Sequence, residues 1–158
     1  RLSVSTATWV FVGYSILNGI TLSGLLLMYT GASVFLAFFI TSATFLVMTI
    51  YGYTTKADLT EMGKLMFMGL IGIIIASLAN LFFRSPAIDW IVSYVGVAVF
   101  IGLTAYDTQK LKAMLADASD SNMFQKYAIL GALTLYLDFI NLFIMILRIV
   151  GNRNNRDF

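Results

Sequence analysis

Two aspartates, Asp107 and Asp138, stand inside apolar runs. A charge in mid-membrane costs about 2.5–3.5 kcal/mol on insertion scales, so such acids mark function. Asp138 lies at the middle of the run Tyr127–Gly151, YAILGALTLYLDFINLFIMILRIVG. Gly131, Thr134, Asp138, Asn141, Met145 and Arg148 recur there at spacings of 3, 4, 3, 4 and 3, which is one helical face. Asp107 closes the preceding run, and Ser93, Gly96, Phe100 and Thr104 share its face.

The runs that carry the two acids are consecutive, so one loop can make the acids neighbours. Two nearby carboxylates cannot both ionise cheaply at low dielectric; they share a proton and titrate as a unit. Asp107 and Asp138 thereby form a candidate pH sensor and gate. Deprotonated, the pair repels itself, draws in a cation, or both, and oxygen ligands suit Ca²⁺. With only two carboxylates, the expected metal role is weak: a permeation or sensing site rather than a tight calcium cage. The plainer alternative is that both acids stay neutral and hydrogen-bond to Asn141, Thr104 or Tyr106. Arg148 reads as a snorkelling end anchor, or else as support for the gate.

Composition limits the rest of the chemistry. The chain has 158 residues, 59% hydrophobic and 11% charged, with a mean hydropathy of +0.87. Soluble domains are about 45–50% apolar and about 25% charged, so this is an integral membrane protein whose first partner is the lipid bilayer. A net charge of +2, spread over loop ends, gives no footing for nucleic acid. The chain has no cysteine and no histidine. That excludes disulfides, thiol chemistry, Ser-His catalysis and the usual neutral-pH sensor. No catalytic residue and no bound cofactor are expected, with Ca²⁺ and protons as the ions handled.

Five apolar runs approach the roughly 20 residues that span a bilayer, at about 6–29, 32–53, 65–83, 88–111 and 127–150. The expected fold is all-α: a single polytopic transmembrane helix bundle. Thr30-Gly31 permits only a tight hairpin, Lys56, Asp58, Glu61 and Lys64 read as a charged loop whose Thr55-Lys-Ala-Asp58 reads equally as the opening of a short interfacial helix, and Lys110–Lys126 reads as the longest polar segment. Gly13, Gly19, Ser23, Gly69, Gly72 and Ala76 read as close-packing positions. Asn18, Asn80 and Asn141 read as interhelical hydrogen-bond partners. If all runs cross, one side carries six basic residues and the other four; a re-entrant last run makes the split nine to one. Length favours crossing, since Lys126 to Arg148 covers roughly 33 Å as a helix. The start, Arg1-Leu-Ser-Val-Ser-Thr, lacks a signal-peptide pattern and reads as the later part of a longer chain.

Arg1-Leu-Ser-Val-Ser-Thr-Ala-Thr8, Asn18-Gly-Ile-Thr-Leu22, Tyr106-Asp-Thr-Gln109 and above all Leu135-Tyr-Leu-Asp-Phe-Ile-Asn-Leu-Phe143 resemble the Bax inhibitor-1 family. The resemblance covers essentially the whole chain and points to a prokaryotic member, located in a bacterial inner membrane. It implies seven helices with the C-terminal one central, of which this chain holds the last five. It also implies a pH-sensitive calcium leak, with the family's paired aspartates at Asp107 and Asp138 and a supporting arginine at Arg1; Tyr106 and Asn141 are further candidates for gate support. A proton-coupled transporter fits the same acids. A regulatory partner of another membrane protein, such as a protease or a cell-death regulator, remains open. An intramembrane aspartyl protease fits less well, because no Gly-x-Gly-Asp surrounds Asp138.

Overall fold

The computed structural model describes residues 3–151, so Arg1 lies outside the described residues. It contains five helices: α1 Val4–Leu26, α2 Gly31–Thr54, α3 Thr60–Phe83, α4 Pro86–Ala116 and α5 Ser121–Val150. All five are long and apolar enough to cross a membrane.

Their starts follow from local chemistry. Ser3, Thr30 and Asp120 cap α1, α2 and α5, each side chain accepting the backbone N–H three residues on, which satisfies donors that the first turn leaves free. α4 opens on Pro86, whose missing N–H costs nothing there. α3 stops at Arg84, which takes a left-handed φ of 49°.

Residues 55–59 are loop, one of their two expected readings, whereas Glu61 and Lys64, expected in that loop, lie in α3, and the polar segment 110–126 is corrected too. Asp58 Oδ1 accepts the Thr60 backbone N–H at 3.0 Å and its hydroxyl at 2.6 Å, starting α3 at Thr60. The supposed polar segment 110–126 is mostly helix, with only residues 117–120 outside α4 and α5. Leu111, Ala113, Met114, Leu115 and Ala116 follow the first lysine, and such strong helix formers carry α4 onward beyond the apolar run.

α4 and α5 form the central antiparallel pair. α2 packs against both, α3 against α4, and α1 against α5. α1 buries no residue, touching α5 through the edge-on pair Phe11–Tyr136. Phe38 and Phe45 of α2 pack edge-on against Phe139 of α5. The core gathers Val99, Phe100, Leu103, Leu142, Phe143, Ile146 and Leu147.

Of the expected glycines only Gly69 marks a close approach, and Gly52, not among them, marks a closer one. A Cβ at Gly13, Gly19 or Gly72 would meet nothing within 4 Å. One at Gly52 would strike the Ala105 backbone carbonyl, and one at Gly69 would lie 2.9 Å from Val99 Cγ2. Of the three asparagines, Asn80 does join elements: its Nδ2 donates to Asp89 Oδ1 at 2.7 Å, and its Oδ1 accepts from the Ser85 N–H. Asn141 instead donates to Leu137 O of its own helix, and the Asn18 side chain makes no hydrogen bond with described residues.

Candidate functional site

α4 and α5 run antiparallel with Gly131 against Leu111 and Gly96 against Met145. That register places Asp138 level with Thr104 and Asp107 level with Thr134, so the acids sit about a turn apart along the pair. Asp107 is the electrostatic neighbour of Asp138. Asp138 is buried, at 5% exposure, and its Oδ2 has no hydrogen-bond partner among the described residues. Asp107 is half-buried.

Neither acid accepts a hydrogen bond from the Thr104 hydroxyl or the Asn141 amide. Thr104 Oγ1 donates to Phe100 O at 2.7 Å, and Asn141 Nδ2 to Leu137 O at 2.8 Å. Hydroxyl and amide alike satisfy carbonyls of their own helices. The one ion pair among the described residues is Lys64–Glu61, an exposed pair at the start of α3. An orphaned buried oxygen beside a second acid is costly.

Both acids line a cavity of about 850 Å³. α3 and α5 flank α4 without packing on each other, and the cavity is the cleft they leave. Gly63, Phe67 and Met68 come from α3, Phe100, Leu103 and Tyr106 from α4, and Leu137 and Asn141 from α5. Lys64 and Lys110 stand in its lining too, so the cleft passes from charged rim to apolar floor. Tyr106 is placed by Gly63, where a Cβ would strike its ring. Asp107, Asp138, Tyr106 and Asn141 are therefore brought together.

Arg148 is not. It lies ten residues beyond Asp138 on α5, about 15 Å along the helix, in a second cavity of about 550 Å³ at the other end of the bundle. Tyr29, Asp89, Trp90 and Ser93 share that cavity. Sequence reasoning passed over Asp89, because an acid in a helix's first turn reads as an ordinary complement to the helix dipole. Gln109 was also missed as a positioning residue. Its Oε1 accepts the Leu59 N–H and its Nε2 donates to Ala57 O, tying the 55–59 loop to α4 two residues from Asp107.

No group of three or more acidic side chains gathers among the described residues, whereas Ca²⁺ takes about 6–8 oxygens. The two carboxylates of the cleft supply at most four.

Residues 2–155 match the model of the family described as inhibitor of apoptosis-promoting Bax1. The chain is 55% identical over 155 residues to the inner membrane protein YbhL of Escherichia coli, covering 97% of this chain and 66% of that protein. A protein of Borreliella burgdorferi is 50% identical over 158 residues, covering 98% of this chain and 67% of its own length. One of Rickettsia prowazekii is 49% identical over 155 residues, covering 98% and 66%. The chain thus spans about two thirds of the length of the curated relatives it matches. With five membrane-crossing helices and relatives at this identity, it is an integral inner-membrane protein, and it belongs to the Bax inhibitor-1 family.

Proposed function

We propose that the protein is a pH-sensitive calcium leak pathway, gated by Asp107 and Asp138 and performing no covalent chemistry. The observation that carries this reading is the meeting of two membrane-embedded acids on one cleft, one of them with an orphaned oxygen. While the pair shares a proton, little charge repulsion opposes the packing of α4 on α5. Loss of that proton leaves two like charges about a turn apart at low dielectric. The helices then separate, or a cation enters between them; both outcomes favour passage of a divalent ion.

Calcium flux into liposomes holding the full-length protein tests this directly, measured against pH. Asp107→Asn and Asp138→Asn should each flatten the pH response. Wild-type flux that neither substitution alters would sink the proposal.

A second reading, regulation of another membrane protein, draws on the family description, which concerns suppression of a cell-death protein. It differs in one outcome: partner binding that persists with both acids replaced and with no flux in the wild type.

A further inference from the structure

The two cavities approach each other along a single seam of the central pair. The cavity of the acid pair reaches Phe100 on α4 and Asn141 on α5. The opposite cavity reaches Ser93 on α4 and Arg148 on α5. On each helix seven residues separate the two cavities, roughly 10 Å at the helical rise.

What fills that interval is apolar and tightly packed. Met145 of α5 lies against Gly96 of α4, where a Cβ would come within 2.9 Å of the Met145 sulfur. Val99, Leu142 and Ile146, all buried, belong to the same core cluster as Met145. Neither Met145 nor Gly96 lines either cavity.

We infer that the Gly96–Met145 layer is the permeation barrier of the protein, a dry partition between two water-accessible vestibules. The inference rests on the leak reading above and adds the element that the acid pair controls. A constriction lined only by apolar groups excludes ions because water does not stay in it. Glycine lets the methionine side chain lie directly on the α4 backbone. Methionine itself has three rotatable bonds and a soft thioether, so it can leave the seam without breaking the helix. Asn141 and Ser93 stand at the two faces of the layer and offer polar atoms to an ion that enters or leaves. Asp138 is seven residues from Met145 on the same face of α5. A rigid turn of α5 caused by repulsion at Asp138 therefore moves Met145 off Gly96.

These 158 residues contain no cysteine, and any cysteine elsewhere in the full-length protein is first replaced by serine. Asn141→Cys, Met145→Cys and Arg148→Cys are introduced singly into the full-length protein in oriented vesicles and exposed to a charged, membrane-impermeant thiosulfonate. Asn141→Cys should label only from the side of the 55–59 and 117–120 loops, and Arg148→Cys only from the opposite side. Met145→Cys should label from neither side, at least tenfold more slowly than the other two. Labelling of Met145→Cys as fast as Asn141→Cys overturns the partition, whatever the protein conducts. In flux measurements, Met145→Ala should raise the closed-state leak several-fold while Met145→Leu leaves it near wild type. If Met145→Ala leaks no more than wild type while the acid substitutions still alter flux, the barrier lies elsewhere and the acid-pair reading stands. If labelling follows the expected pattern and no variant conducts, the leak reading fails and the partition remains.

Discussion

Gln109 grips Leu59 across fifty residues of sequence. Its Oε1 accepts the Leu59 N–H at 3.0 Å while its Nε2 donates to Ala57 O at 2.7 Å. Lys112, one turn on, donates to Tyr53 O at 2.8 Å and stands over the Tyr53 ring. One face of α4 thus holds the end of α2, the loop, and the start of α3. Each hydrogen bond of this kind contributes about 0.5–1.5 kcal/mol net. Gln109→Ala should therefore lose about 1–3 kcal/mol, read as a lower unfolding midpoint in detergent. Gln109→Glu, which keeps the acceptor and loses the donor, should fall between the two.

Gly52 and Gly13 should respond oppositely to alanine. At Gly52 the new Cβ meets the backbone of Ala105, which cannot rotate away, so α2 must leave α4. Overpacking of this kind costs about 1–3 kcal/mol. At Gly13 nothing lies within 4 Å, and alanine gains up to about 1 kcal/mol in helix propensity. Equal midpoints for the two variants would contradict the packing described.

Asp138→Leu should make the protein more stable and less responsive. It removes a buried carboxyl whose Oδ2 has no partner, relieving about 1–3 kcal/mol of desolvation. The pH dependence of flux should disappear with it. A variant that is less stable than wild type would mean that the carboxyl holds the helices together instead.

The Asp58 carboxyl is held below its ordinary value by the Thr60 hydroxyl and backbone N–H that it accepts. A depressed carboxyl stabilises the fold fully above its unfolded pKa of about 3.9, and the contribution fades as pH falls through the lower folded value. Acidification below about pH 4 should thus free the start of α3, seen as faster amide exchange at Thr60 and Glu61. Asp58→Ala should show that faster exchange at neutral pH.

Arg84 occupies a conformation that glycine adopts without strain, φ 49°. Arg84→Gly should keep the α3–α4 turn and gain up to about 1 kcal/mol. Asn80→Ala should lose it, because the Asn80 amide serves both Asp89 and Ser85. A stable Asn80→Ala protein would show that the turn is held by Pro86 alone.

The parts of this fold that were legible in the sequence are those with a period. The 3–4 spacing from Gly131 to Arg148 and from Ser93 to Asp107 identified the faces that meet, because a helix turns those positions one way. Helix ends were less legible. Lys110 and Lys112 read as the end of a span, yet lysine is a good helix former and nothing after it breaks the helix before Asp117. Glycine was read least well. Gly13 and Gly52 look alike in sequence, and only the position of Ala105 separates them. The same holds for Arg148: its face was legible and its distance from the acids was implied by the helical rise, but its cavity is built from Tyr29 and Asp89 of other elements.

α4 and α5 have 31 and 30 residues, whereas α2 and α3 each have 24. The excess all falls on the side of the 117–120 connection, since α4 begins beside the end of α3 at Pro86. Gln109 marks the level of the 55–59 loop, and Asp107 is only about 3 Å deeper along α4. The acid pair is consequently off-centre along the helices, near the ends that carry the 55–59 and 117–120 connections. Under the proposed gating, protons reach the pair from that side, and the leak follows the acidity of one compartment rather than a difference across the membrane.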